Sequence, residues 1–296
     1  MCLLVYQDGI IIFVKAQMVK IFNISSSGST ATVWLTSFLN SQNITAFHAL
    51  RQSPFGLPTD VNSAMSLPID GYCMTAALLD LRERTMIEKP IGLVHSYGNT
   101  SLIKPAIEAH NGVHFALIRN PISRINSQFI HKSEKFGLPD LEKNLNELNF
   151  YETMEFGLKN LEKLRKAVKA TFQHVVGYTL ENDLDNMKNA KSDELIHFEE
   201  MFIKKDILPK IVSKISEIRA EDVDMSNVKI LEKKNTHVRK QLTDWSDFPK
   251  FFRESAMEVI ETSFNKFEII EYYNKAGYDG AAIAGMAQKP KSYFLI

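Results

Sequence analysis

Cysteine is scarce in this chain. There are two in 296 residues, Cys2 and Cys73, and neither belongs to a C-x-x-C or a mixed His/Cys pattern. This excludes a disulfide framework and a thiolate metal site, and two lone thiols suit a reducing, cytoplasmic compartment. Net charge is lacking too: 35 Lys and Arg balance 35 Asp and Glu. No global field therefore favours nucleic acid or an anionic membrane. Long hydrophobic runs are absent. The N-terminal MCLLVYQDGIIIFVKAQ is apolar but broken by Asp8 and Gly9, and its runs fall far short of the roughly 20 residues that a membrane span needs. No basic stretch precedes the apolar part, which argues against a secretory signal. An added strand or hairpin, or a leader ahead of Met18, is the plainer expectation. Neither internal repeats nor low-complexity tracts occur. Three N-x-S/T sequons, at Asn23, Asn43 and Asn99, read as chance, because Asn23 falls at the end of an expected central strand.

What is present is an alternation of short apolar runs and amphipathic segments. VKIFNI (19–24), IGLVH (91–95) and VHFALI (113–118) read as strands, with a short further strand in ELIHFEEM (194–201). VHFALI is apolar enough to be covered on both faces, as in parallel sheets. Helical spacing runs through 30–41, with Val33, Trp34, Leu35 and Phe38 inward, and through 73–84, 104–111, 121–132 and 206–218. Residues 45–72 hold three prolines and read mostly as loop. The charged stretch 134–194 reads as helical, broken at 137–139 and around Gly177. One long helix is expected from about Pro249 to Asn274. Strands alternating with helices imply βαβ units. The expected fold class is α/β, a three-layer sandwich with a central parallel sheet and a helical insert or cap over 134–194. Residues 1–17 form an extension and 281–296 a tail around one domain, 18–280.

The first strand runs into SSSGSTAT (25–32), followed by a helical pattern. A strand, a tight turn and a helix N-terminus together offer free backbone N–H groups and a positive dipole end to an anion. Gly28 permits close approach, while Ser26, Ser27, Ser29 and Thr30 carry hydroxyl donors. A serine-rich helix cap is the plain alternative. No lysine follows Gly28, so the P-loop kinase pattern G-x-x-x-x-G-K-[ST] is not met.

The second segment is FALIRNPISRINSQF (115–129). Arg119 follows the strand at its carboxyl end, where ligands bind in open α/β sheets. Asn120-Pro121 turns the chain into a helix, and Ser127 lies two turns on. A guanidinium fork suits phosphate oxygens, with a serine hydroxyl to complete the shell. A solvent-facing strand end for Arg119 and a surface salt bridge for Arg124 are the alternatives.

Together these segments resemble the sulfotransferases that use 3′-phosphoadenosine-5′-phosphosulfate (PAPS). That family has a [K/R]-S-G-[T/S]-[T/S] loop after its first strand, matched by Ser26-Ser27-Gly28-Ser29-Thr30. It also has R-[D/N]-P followed by a serine, matched by Arg119-Asn120-Pro121 through Ser127. Arg124 stands where the Golgi-type and bacterial branches are often basic. IHFEEM (196–201) is similar to the family's "yEdL" element, and the AGYD close to its C-terminal "GY". The resemblance implies a P-loop NTPase-like fold, PAPS as co-substrate with PAP as product, and no metal. It further implies 5′-phosphosulfate binding by the loop, and 3′-phosphate binding by Arg119, Ser127 and the basic Arg239 and Lys240. His95, at the end of the strand before R-N-P, falls near the family's catalytic histidine. A histidine titrating near neutrality suits proton removal from an acceptor hydroxyl or amine; a strand-end structural histidine is the alternative. His114 reads as a core histidine and Trp34 as a core residue. The acceptor is expected to be a small molecule or a glycan, with no nucleic-acid partner; nothing indicates oligomeric state.

The chain departs from the family at Ser26, where a lysine or arginine is usual. That cation would meet negative charge building on the leaving phosphate. Backbone N–H groups and the loop hydroxyls would have to replace it, or a lysine from elsewhere, with Lys104, Lys132 and the 233–240 cluster as candidates. Otherwise the chain is a weak or inactive nucleotide-binding homologue. A P-loop kinase-like phosphotransferase is the remaining rival; it lacks the loop lysine and an aspartate suited to magnesium.

Overall fold

The computed structural model of the chain describes residues 2–7, 10–15, 20–26, 31–48, 75, 78–79, 89–96, 100–134, 161–203, 206–226, 228 and 242–286. Ser27, Gly28, Ser29, Thr30, Arg239 and Lys240, and the expectations for most of 45–72 and for 135–160, lie outside these residues.

Two short apolar runs pair with each other at the N-terminal end of the chain. Strands β1 (Cys2–Gln7) and β2 (Ile10–Lys15) pair antiparallel as a sheet of their own. The main sheet holds β3 (Ile21–Ser25), β4 (Thr45–His48), β5 (Ile91–Ser96), β6 (Val113–Ile118) and β7 (Leu195–His197). Its order is β4-β5-β3-β6-β7 and every pairing is parallel. β3 is central, and Asn23 within it is wholly buried, which accords with reading its sequon as chance.

Period-two alternation sends the strand side chains to two helical layers. On one face Phe22, Ile24, Phe115 and Leu117 meet α1 (Thr32–Ser41), α5 (Phe198–Ile203) and α6 (Ile207–Ile215). On the other, Ile21, Phe47 and Leu93 meet Ile103 and Ile107 of α2 (Thr100–Glu108). Ile118 joins a larger cluster there, built from α3 (Pro121–Glu134), α4 (Leu161–Asn189), α7 (Lys250–Ser263), α8 (Lys266–Lys275) and α9 (Gly280–Ile283). The result is the expected three-layer α/β sandwich. Each fully buried Phe or Leu in it stabilises by about 1.5–3 kcal/mol. Trp34 is a core residue, 5.7 Å from Phe38 in a stacked pair. Trp245 secures the C-terminal segment by donating its indole N–H to the Ile283 carbonyl at 2.9 Å.

Several expectations are corrected. Val33 faces outward, 56% exposed, while Leu35 is buried, because the α1 stripe runs through Trp34, Leu35, Phe38 and Leu39. Part of the expected 45–72 loop is β4, an edge strand whose Thr45 N–H donates to the Pro90 carbonyl at 2.8 Å. α2 begins at Thr100, before Lys104, and keeps Pro105 inside it. Its first turn finds partners on α4: the Thr100 hydroxyl donates to Asn186 Oδ1 at 2.5 Å and the Ser101 N–H to Asp185 Oδ2 at 3.3 Å. Gly177 does not break α4. A mid-helix glycine costs about 1 kcal/mol, and burial of Phe172, Val175, Val176 and Leu180 around it outweighs that. The long C-terminal helix is two helices, parted at Phe264–Asn265. The Asn265 side chain caps the second by accepting from the Phe267 N–H at 3.0 Å. Arg124 makes no surface salt bridge. It is fully buried and bonded to Asp183, also fully buried, which accepts from the Tyr273 hydroxyl at 2.8 Å. Burial pulls the Arg124 pKa down, but the adjacent Asp183 carboxylate more than offsets this and raises it. Burial and Asp183 push the Tyr273 phenol well above its usual range.

Candidate active site

The candidate site lies along the carboxyl edge of the sheet. β3 and β6 are neighbours, with Ser25 opposite Ala116, and neighbouring strands lie about 4.8 Å apart. Ser26 follows the end of β3 and Arg119 follows the end of β6. The chain passes from β3 to α1 on one face and from β6 to α3 on the other. That divergence is the topological switch point at which open α/β sheets bind ligands.

Ser26 is buried. Past the loop, Ala31 at the N-terminus of α1 adopts a left-handed backbone, φ 56°. This conformation costs a non-glycine residue roughly 1 kcal/mol or more and is typical of constrained functional turns. Thr32 Oγ1 then bonds to His48 Nε2 at 2.8 Å. His48 ends β4 at the same sheet edge, and burial lowers its pKa. Sequence reasoning missed this histidine, because the four-residue TAFH strand carries too little pattern ahead of a proline-rich sequence.

Within β3 and β6, next to Ser26, lies a buried polar chain. The Asn23 amide donates to Ser25 Oγ at 3.2 Å, and Ser25 Oγ bonds to His114 Nε2 at 3.0 Å. His114 is therefore a core histidine, as its place within VHFALI predicts. On the other side of β3, the register with β5 shifts: Ile24 pairs with Val94 but Ser25 with Ser96. His95 is the extra residue at this irregularity. Such bulges recur beside active sites.

Arg119 is buried to 7% exposure, with its guanidinium 4.4 Å from the Phe198 ring centroid. Burial lowers its pKa to about 10, and the Glu199 charge opposes that shift; the group stays cationic at neutral pH. Asn120 explains why asparagine precedes the proline. Its side-chain oxygen accepts from the Ile122 and Ser123 N–H groups at 3.0 and 3.2 Å, capping α3 with Pro121 at the position where no N–H is needed. Ser127 is half-buried further along α3. The Ser123 hydroxyl donates to the Leu242 carbonyl at 2.7 Å; Leu242 is the first described residue after the segment holding Arg239 and Lys240. Lys104, a candidate replacement cation, is held elsewhere. Its ammonium donates to Glu194 Oε2 at 2.6 Å and to the Asn189 carbonyl at 3.0 Å.

Glu199 and Tyr278 complete the surroundings of Arg119. The Asn120 N–H donates to Glu199 Oε1 at 3.1 Å, and the Tyr278 hydroxyl to Oε2 at 2.8 Å. IHFEEM and AGYD were recognisable in the sequence as family-like segments, but nothing in their spacing brings them to Arg119. Among the described residues, no group of three or more His, Cys, Asp or Glu side chains is placed to hold a metal ion, and no helix is long and apolar enough to cross a membrane.

No protein-family model matches the chain, and no curated protein matches it. Among solved structures it is similar to the crystal structure of mouse sulfotransferase SULT7A1 complexed with PAP. The TM-score is 0.45 at 14% identity, over 92% of this chain and 99% of that one. A likeness that distant assigns no function.

Proposed function

We propose that this chain is a sulfotransferase that moves a sulfuryl group from PAPS to a hydroxyl or amine of a small-molecule or glycan acceptor. The observation that carries the reading is the adjacency of β3 and β6. It puts Ser26 and Arg119 at the same end of neighbouring strands, which supports a single anionic ligand contacting both segments. In this reading the loop Ser26, Ser27, Gly28, Ser29 and Thr30 holds the 5′-phosphosulfate. Arg119, Ser127, Arg239 and Lys240 hold the 3′-phosphate. The acceptor oxygen or nitrogen attacks sulfur as the bond from sulfur to the bridging phosphate oxygen breaks, and PAP departs. His95 takes the acceptor proton. The register irregularity at His95 supports a special role for that position.

A second reading, a nucleotide-binding homologue without turnover, is favoured by one observation: no Lys or Arg stands between Ile24 and Leu39. Transfer of radiolabelled sulfate from PAPS across an acceptor panel separates the two. Under the first reading His95→Ala lowers transfer by about 10²–10⁴-fold and leaves PAP affinity within a few-fold. PAP binding with no transfer on any acceptor selects the second reading; absence of PAP binding removes both.

A further inference from the structure

We propose that Glu199 and Tyr278 are positioning residues for Arg119, so that the C-terminal segment sets the preference for a 3′-phosphorylated nucleotide. The inference rests on the reading of Arg119 as a 3′-phosphate contact. Phe198 supplies the surface on which the Arg119 guanidinium lies, 4.4 Å from the ring centroid. The next residue, Glu199, uses both carboxylate oxygens to brace the turn that carries Arg119. Oε1 accepts from the Asn120 N–H at 3.1 Å and Oε2 from the Tyr278 hydroxyl at 2.8 Å. One acidic side chain thus joins the end of β6 to the stretch between α8 and α9.

That stretch is firmly anchored. The Tyr278 N–H donates to the Tyr273 carbonyl at 2.9 Å. The Tyr278 ring lies 5.7 Å from His197, at the end of β7, and 6.2 Å from Tyr273. Tyr273 in turn donates its hydroxyl to Asp183, the partner of Arg124. A continuous set of contacts therefore runs from the buried ion pair of α3 and α4 through α8 to the Arg119 turn. A guanidinium binds phosphate best when its fork is held in place beforehand. Hydrogen bonds at both carboxylate oxygens fix the Glu199 rotamer, and the Asn120 N–H transmits that rotamer to the backbone beside Arg119. Without the Tyr278 hydroxyl, Oε2 loses its donor and the carboxylate turns, taking the Arg119–Asn120 backbone with it.

The test is calorimetric titration of the full chain with adenosine 3′,5′-bisphosphate and with adenosine 5′-monophosphate. The ratio of the two dissociation constants isolates the contribution of the 3′-phosphate. Tyr278→Phe keeps the ring and removes one hydroxyl. It is expected to shrink that ratio by about tenfold, the scale of one charge-assisted hydrogen bond, with monophosphate affinity within twofold of wild type. Glu199→Gln keeps an acceptor for Asn120 and a partner for Tyr278, and should hold or raise the ratio. Equal weakening of both nucleotides by Tyr278→Phe would mean a merely structural role and would overturn the proposal. An unchanged ratio in Tyr278→Phe, or a tenfold fall in Glu199→Gln, would also overturn it. A wild-type chain that binds the monophosphate but shows no preference for the bisphosphate would instead remove the Arg119 reading itself.

Discussion

His114 shows how one residue's surroundings become a pH dependence. It lies in β6 with 2% of its surface exposed and bonds to Ser25 Oγ. Burial, with a smaller push from Lys104 and against the pull of Glu194, lowers its pKa to about 4 from the usual 6.5. The unfolded chain takes up a proton as pH falls below about 6.5, while the folded chain resists until about 4. Stability from this group is full above the unfolded value and is lost as pH drops through that window. Between pH 7.5 and 4.5 the loss should be on the order of 2–3 kcal/mol. Urea unfolding at both pH values should show wild type losing that much more than His114→Gln, whose amide does not titrate. Equal pH sensitivity in the two proteins would refute the buried neutral imidazole. The residue scale also separates arginines that look alike in the sequence. Arg119 and Arg124 stand five residues apart in one short segment, yet one lies at the carboxyl edge of the sheet and the other is bonded to Asp183 inside the core.

At the scale of elements, the β3–β5 pair depends on Gly92. A Cβ there would lie 2.2 Å from the Phe22 carbonyl oxygen and 2.5 Å from its ring. Backbone on the neighbouring central strand cannot yield cheaply, so Gly92→Ala should destabilise by about 1–3 kcal/mol. A lower denaturation midpoint with an unchanged slope against denaturant would report this; an unaltered midpoint would mean the strands separate without cost. Strand periodicity identified β3, β5, β6 and β7 in the sequence, since apolar runs bounded by turns leave few other readings. β4 was hidden because four residues carry too little pattern. The helices were legible where one apolar stripe dominates. Their ends were not, because partners far along the chain decide them, as Asn186 and Asp185 do for α2 and the Asn265 cap does for α8.

At the scale of the whole molecule, the proposed ligand bridges elements that are remote in sequence. Binding only to the folded state stabilises it by mass action. PAP at a hundredfold its dissociation constant should add about 2.7 kcal/mol, a rise of several degrees in Tm. Arg119→Ala should abolish most of that rise at the same PAP concentration. A wild-type melting curve indifferent to millimolar PAP would end the nucleotide reading.

The alternation of strands and helices, the inward faces of most of them and the two anion-suited segments were determined by the sequence itself, because periodicity and turn chemistry are local. Only tertiary structure decided the sheet order that sets Ser25 beside Ala116, the burial of Arg124 against Asp183, and the meeting of Glu199 and Tyr278 at Arg119. Those depend on which distant surfaces exclude water together, and no local spacing encodes that.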